Sequence, residues 1–216
     1  MKYRVFLDFD GTITVNDVGY EMFKKFTGEA TETIVKKYRS GLINSYVCLQ
    51  AECEIWNQNP PVHSEVLRFL NGQLLRPGIK EFLEYLCNSD IKFAVLSEGF
   101  DFYISHILNY HKFYNLLVIS NQATINGNTI QPIFPYYGKG CGECSNCKGF
   151  HISRMCGDGE IAVFIGDGHS DIHAAEKSQI VFARSSLALT LGEKNISFIA
   201  YEDFFDIIEY FRNNLV

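Results

Sequence analysis

The sequence predicts an α/β fold, a doubly wound parallel sheet with a small α-helical cap inserted after the first strand. Three observations carry that expectation. Short apolar runs without polar alternation recur along the chain, as expected of strands buried on both faces. Amphipathic helical patterns separate most of them. The interval from about residue 15 to residue 75 breaks the alternation and carries helical spacing alone.

Residues 4–9 form the first apolar run, and 91–96, 116–119, 161–165, 180–183 and 198–200 follow as buried strands. Arg76-Pro77-Gly78 leads into a helix over 79–87, with Pro where a helix start tolerates it. Phe204, Ile207, Ile208 and Phe211 place a helix near the end of the chain. Asn126-Gly127, set between two β-prone triplets, reads as a two-residue hairpin turn with positive φ available at both positions. Alternating strand and helix imply parallel pairing through helical crossovers. The expected organisation is a core of residues 1–14 and 76–216 and a cap of residues 15–75.

A chain of 216 residues, 47% hydrophobic, can bury one sizeable core and a small appended domain. The net charge of -6 comes from interspersed acids, which leaves no footprint for nucleic acid or an anionic membrane surface. No stretch approaches the length of a membrane span, and the run to Asp8 is too short for the apolar core of a signal peptide. The seven cysteines are therefore expected as thiols or metal ligands in a cytoplasmic protein, and a small anionic substrate would need local positive charge.

Parallel sheets present ligands at the carboxyl ends of their strands. Asp8 and Asp10 lie at the end of the first strand, two apart, so persisting strand geometry points both one way. Two such carboxylates repel and want a cation or a shared proton. Asp167 and Asp171, after the 161–165 strand, could complete a Mg²⁺ site of hard oxygen ligands; capping the following helix is their competing role. Ser97 follows the 91–96 strand, and Lys148 precedes a helix. Phosphoryl transfer needs a nucleophile, neutralised equatorial oxygens and a proton for the leaving group. Asp8 supplies the first and Asp10 the last, while Lys148, Ser97, the metal and the amides of Gly99 or Gly11 hold the phosphate.

Asp8-Phe9-Asp10-Gly11-Thr12, Leu96-Ser97-Glu98-Gly99, Lys148 and Gly166-Asp167-Gly168-His169-Ser170-Asp171 resemble, in order, the four motifs of the haloacid dehalogenase-like hydrolases. The resemblance spans nearly the whole chain. It implies a phosphatase with Asp8 as nucleophile, Asp10 as acid/base, Ser97 and Lys148 on phosphate, and Mg²⁺ on Asp8, Asp167 and the main-chain carbonyl of Asp10. Asp171 is then a second acid near the metal, direct or through water. The layout is similar to phosphoserine phosphatases, and more so to methionine-salvage phosphatases acting on 2-hydroxy-3-keto-5-methylthiopentenyl-1-phosphate. Phosphocholine and phosphoethanolamine phosphatases share parts of it, and a non-catalytic phosphate-binding protein is the alternative of another class.

Glu98 stands where relatives commonly have Gly, and an added carboxylate beside Ser97 disfavours an anionic substrate group or prefers a cationic one. Glu21, on the first cap helix, is a candidate contact for a substrate amine or hydroxyl. Cys141, Cys144 and Cys147 form C-x-x-C-x-x-C, with Cys156 close behind, a spacing suited to a structural Zn²⁺.

Overall fold

The computed structural model describes residues 2–215, which form two compact units. The first comprises residues up to 15, 74–96 and 148 onward; the second comprises 16–73 and 97–147.

In the first unit, β1 (Lys2–Leu7) pairs in parallel with β2 (Lys92–Phe100) on one side and β5 (Glu160–Gly166) on the other. β6 (Ile180–Ala183) and β7 (Ile199–Ala200) extend the sheet beyond β5, again in parallel. The strand order reverses at β1, so right-handed crossovers place helices on both faces. α5 (Ile79–Asn88) and α10 (Phe204–Asn214) pair through Phe82, whose ring lies 5.4 Å from Phe204 and 5.5 Å from Phe211. α7 (Lys148–Met155), α8 (Ile172–Glu176) and α9 (Ser185–Glu193) also belong to this unit. Val5, Phe6, Leu7, Val163, Phe164 and Ile165 are fully buried, which explains why their runs show no polar alternation.

The second unit holds α1 (Val18–Thr27), α2 (Glu29–Arg39), α3 (Ser45–Gln58), α4 (His63–Asn71) and α6 (Asp101–Tyr110). Asp17 caps α1 by accepting from the Tyr20 amide, and Asn44 caps α3 by accepting from Val47, each at 3.0 Å. Phe23 and Phe26 meet Trp56 edge to face at 5.5 and 5.6 Å. β3 (Val118–Asn126) and β4 (Thr129–Ile133) form an antiparallel hairpin. The Asn57 side chain donates to Ile130 O and accepts from Ile130 N at 2.7 and 2.8 Å, so a helix amide satisfies both backbone groups of that strand residue.

Two expectations shift here. The 116–119 run does not form a strand of its own; β3 begins at Val118 and continues as a half-exposed hairpin strand. The hairpin loop is Gly127-Asn128, one residue later than Asn126-Gly127, because Asn126 pairs with Thr129. Only Gly127 takes a positive φ (61°), and the Trp56 indole N–H donates to the Asn128 carbonyl at 2.9 Å, holding the later register.

Glu52 on α3 is buried, and its Oε1 has no hydrogen-bond partner among the described residues. Burial and then the charge of Asp17 push its carboxyl from an ordinary 4.5 up to about 8, against the opposing pull of Arg39. Across that window the unfolded chain gives up a proton that the folded chain keeps, so stability falls as pH rises. Glu52→Gln is expected to flatten this dependence, gaining most near the alkaline end. Denaturant unfolding at about pH 5 and about pH 8 reads it, and identical pH slopes in both proteins would contradict it.

Candidate active site

The site of the first unit is built by the register of β1 on β5. Leu7 pairs with Ile165, and the Asp8 amide continues the ladder by donating to the Ile165 carbonyl at 2.9 Å. Asp8 therefore leaves one strand where Gly166 and Asp167 leave its neighbour. The carboxylates of Asp8, Asp167 and Asp171 each bring an oxygen within 4.8 Å of the other two.

Lys148, the first residue of α7, is buried to 1% exposure, which sets aside a solvated surface role. Its ammonium donates to Asp8 Oδ1 and Asp171 Oδ1, both at 2.5 Å, and to Ser170 Oγ at 3.0 Å. Asp171 spends its other oxygen on the amides of Asp167 and Gly168, at 2.9 Å each. It thus caps the turn after β5 while fixing Lys148, and both of its oxygens are engaged. The turn depends on Gly166, where a Cβ would lie 2.5 Å from Asp171 Oδ2.

After Asp8 the chain bends sharply. Gly11 takes a φ of +79°, and a Cβ there would stand 2.5 Å from Asp167 Oδ2, so glycine is required on both counts. Thr12 Oγ1 donates to Asp167 Oδ1 at 3.0 Å, and Thr14 Oγ1 closes the bend by donating to the Phe9 carbonyl at 3.1 Å. Arg76 holds the bend from beneath: Nε donates to Thr12 O at 3.0 Å, and Nη2 to the carbonyls of Gly11, Thr14 and Val15 at 2.5, 3.3 and 3.1 Å. A guanidinium fork suits several converging carbonyls as an ammonium does not.

Burial pushes the Asp8 carboxyl up, and Asp171, Asp167 and Asp10 push it further, against Lys148. For Lys148 burial pulls down, but the charges of Asp171 and Asp8 and their hydrogen bonds outweigh it and hold the ammonium above its ordinary value. One ammonium among three clustered carboxylates leaves negative charge uncompensated. A divalent cation with a preference for oxygen donors fits that deficit, and Mg²⁺ fits the donor set of Asp8 and Asp167.

A model of the haloacid dehalogenase-like hydrolases matches residues 5–176. The chain belongs to this family. Among curated relatives, the 2-hydroxy-3-keto-5-methylthiopentenyl-1-phosphate phosphatase of Bacillus cereus (strain AH187) is 28% identical, over 96% of this chain and 94% of the relative. The enzyme of the same name from Lysinibacillus sphaericus (strain C3-41) is 29% identical, over 97% and 93%. Of solved structures, a phospho-aspartyl intermediate analogue of phosphoserine phosphatase superposes with a TM-score of 0.74 at 21% identity, covering 97% of this chain and 98% of that one. That likeness speaks to the fold.

The other residues singled out in the hydrolase's sequence are placed as follows. Asp10 lies in the bend after Asp8 and is partly exposed. Ser97, Glu98 and Gly99 end β2 and belong to the second unit. The Gly99 amide donates to Ser97 Oγ at 2.8 Å and the Gly11 amide to Thr14 Oγ1 at 3.2 Å, so both expected phosphate donors are already engaged. Glu21, in the first turn of α1, accepts from the Asn16 side chain at 3.3 Å. Cys156 is turned to the Glu160 carbonyl, 3.6 Å from its sulfur, within the first unit, whereas Cys141, Cys144 and Cys147 cluster in the second. The expected four-cysteine set is thereby reduced to three.

Thr12, Ser170 and Arg76 are the site residues that sequence reading passed over. Thr12 and Ser170 sit inside the first and last motifs, whose strand-end placement is the signal that locates them. Arg76 had no such signal, since an arginine before Pro-Gly reads as a surface residue at a helix start.

Proposed function

We propose that this hydrolase is a Mg²⁺-dependent phosphomonoester phosphatase that works through a phosphoryl group carried on Asp8. The constellation of Asp8, Lys148, Asp171 and Asp167 carries the reading, because Asp8 and Asp167 follow adjacent strands and the buried Lys148 ammonium at the start of α7 is hydrogen-bonded to Asp8.

Asp8 attacks the phosphorus in line with the leaving oxygen, and the ester bond breaks as the acyl phosphate forms. Lys148, held by Asp171 and Ser170, offsets the charge on the transferring oxygens. Asp10, more exposed than Asp8, gives its proton to the leaving oxygen and then takes one from the water that hydrolyses the intermediate. Asp8, Asp167 and the main-chain carbonyl of Asp10 would hold the Mg²⁺, which supplies charge neutralisation and orientation. Asp171 holds Lys148 and the turn, and stands near the metal as a ligand either direct or through water. Ser97, buried within the last part of β2, is assigned to phosphate on its place in the second motif. Residues 15–75 form the cap that selects the remainder of the substrate, with Glu21 and Glu98 as candidate contacts.

The substrate we favour is a small phosphorylated metabolite of the methionine-salvage kind. The names and near-complete coverage of the relatives support this choice. So does the acidic character of Glu98, which disfavours a substrate carboxylate. That none of the seven cysteines is joined in a disulfide supports a reducing, cytoplasmic setting.

Steady-state hydrolysis of 2-hydroxy-3-keto-5-methylthiopentenyl-1-phosphate, phosphoserine, phosphocholine, phosphoethanolamine and an aryl phosphate tests the reading. The first is expected to give the highest kcat/KM, and chelation should abolish every activity until Mg²⁺ is restored. Preference for phosphoserine would overturn the substrate assignment. Inactivity towards the whole panel in Mg²⁺ would favour a phosphate-binding protein instead.

A further inference from the structure

The loop that ends at Cys147 is built around sulfur. The Sγ atoms of Cys141, Cys144 and Cys147 lie within 4.8 Å of one another. Ligands about 2.3 Å from a tetrahedral zinc stand roughly 3.8 Å apart, so a shift of about an ångström or less would bring all three onto one ion. The backbone between the first two cysteines is already folded around the sulfur. The amides of Glu143 and Cys144 donate to Cys141 Sγ at 3.4 and 3.3 Å, while Gly142 takes a φ of +84° that an L side chain would resist. Amides pointed at a sulfur fix its orientation, which is the support a metal ligand needs.

The rest of the loop is anchored independently of the sulfurs. The Ser145 amide donates to Ser45 Oγ at 2.7 Å. The Asn121 side chain donates to Ser145 Oγ at 2.9 Å, and the Asn146 side chain to the carbonyls of Ser97 and Ile119 at 2.8 and 3.2 Å. Ser145 and Asn146 are fully buried and Cys147 is 3% exposed, whereas Cys141 is exposed. One side of the cluster is thus fixed to the unit's interior, while the other is exposed and reaches the helices through the Asn44 side chain, which donates to Glu143 at 3.5 Å.

We propose that Cys141, Cys144 and Cys147 form a structural site for a thiophilic divalent cation of the zinc class. Binding forms three metal–sulfur bonds, and each thiol releases its proton to solvent. The ion closes the loop that connects to Lys148 through Cys147, and so steadies the chain entering α7. This role is separate from the phosphatase reading and involves none of its acids.

The probe is Co²⁺, added to reduced protein freed of other transition metals and kept in Mg²⁺. A thiolate-to-cobalt charge-transfer band should grow and saturate at about one equivalent, and Zn²⁺ should then displace it. Zn²⁺ should also raise the Tm of the wild-type protein. Cys144→Ser, at a half-buried position that tolerates the change, should lose both the band and the Zn²⁺-dependent rise in Tm, as should Cys141→Ser at the exposed position. Cys156→Ser and Asp8→Asn should keep both. No band at saturating Co²⁺, a band of undiminished strength in Cys144→Ser, or isolation of the protein with a disulfide within the cluster would each overturn the proposal. The Asp8→Asn control separates failure here from failure of the catalytic assignment.

Discussion

Asp8→Asn is expected to reduce aryl phosphate hydrolysis by at least about ten-thousand-fold while leaving the protein folded. A carboxamide has no oxygen nucleophilic enough to take the phosphoryl group, so the covalent step is lost and not merely slowed. The fold has little reason to respond. The Asp8 backbone amide still donates to Ile165, and Lys148 keeps Asp171 and Ser170 as acceptors. Removing one of three clustered carboxylates also relieves repulsion at a buried position, so the change in stability should stay within about 1 kcal/mol of wild type or favour the variant. Initial rates under Mg²⁺ saturation and a thermal melt on the same preparation check both halves. Activity within tenfold of wild type in a folded variant would remove Asp8 as nucleophile.

Lys148→Met is expected to lose both activity and stability, and its pH dependence identifies the cause. The ammonium bridges Asp8 and Asp171 at 2.5 Å each, in a site where it is almost wholly enclosed. Methionine keeps the length and apolar stem but leaves two buried carboxylates facing each other, a change that costs about 3–5 kcal/mol when one partner of a buried ion pair is removed. Loss of charge neutralisation at the phosphate should lower kcat by about a thousandfold. The sign with pH follows from Asp8, whose folded carboxyl already sits above its ordinary value and loses its one opposing influence in the variant. A raised carboxyl stabilises the folded state below its unfolded value and loses that contribution as pH rises through the folded value. Lys148→Met should therefore recover stability on mild acidification, more than wild type does. Adding Asp8→Asn to Lys148→Met should restore much of the lost stability without any activity. A defect insensitive to pH and unrelieved by the second substitution would mean that Lys148 acts by packing alone.

Much of the fold was legible because buried parallel strands announce themselves as unbroken apolar runs. β1, β5 and β6 sit where residues 4–9, 161–165 and 180–183 predicted, within a few residues. β3 was harder, since a half-exposed hairpin strand lacks that signature: the 116–119 run overlaps only its first two residues, and the turn signal marked its far end. The hairpin loop moved by one residue because Trp56, far away in sequence, binds the Asn128 carbonyl. No local propensity carries that information.

The sequence by itself determined the chemistry available. The Asp8-Phe9-Asp10-Gly11-Thr12 and Gly166 to Asp171 motifs name the acids, and their strand-end spacing is a backbone property readable from the apolar runs before them. Only the tertiary structure decided what each acid touches. Asp171, predicted near the metal, gives both oxygens to Lys148 and the amides of its own turn, because burial leaves no water to satisfy those groups. Arg76, silent in the sequence, gathers the carbonyls of the bend at Gly11 because long-range packing brings it beneath them. Cys156 left the cysteine cluster for the same reason, since spacing along a chain constrains neighbours only within a loop, and a helix lies between it and the other three.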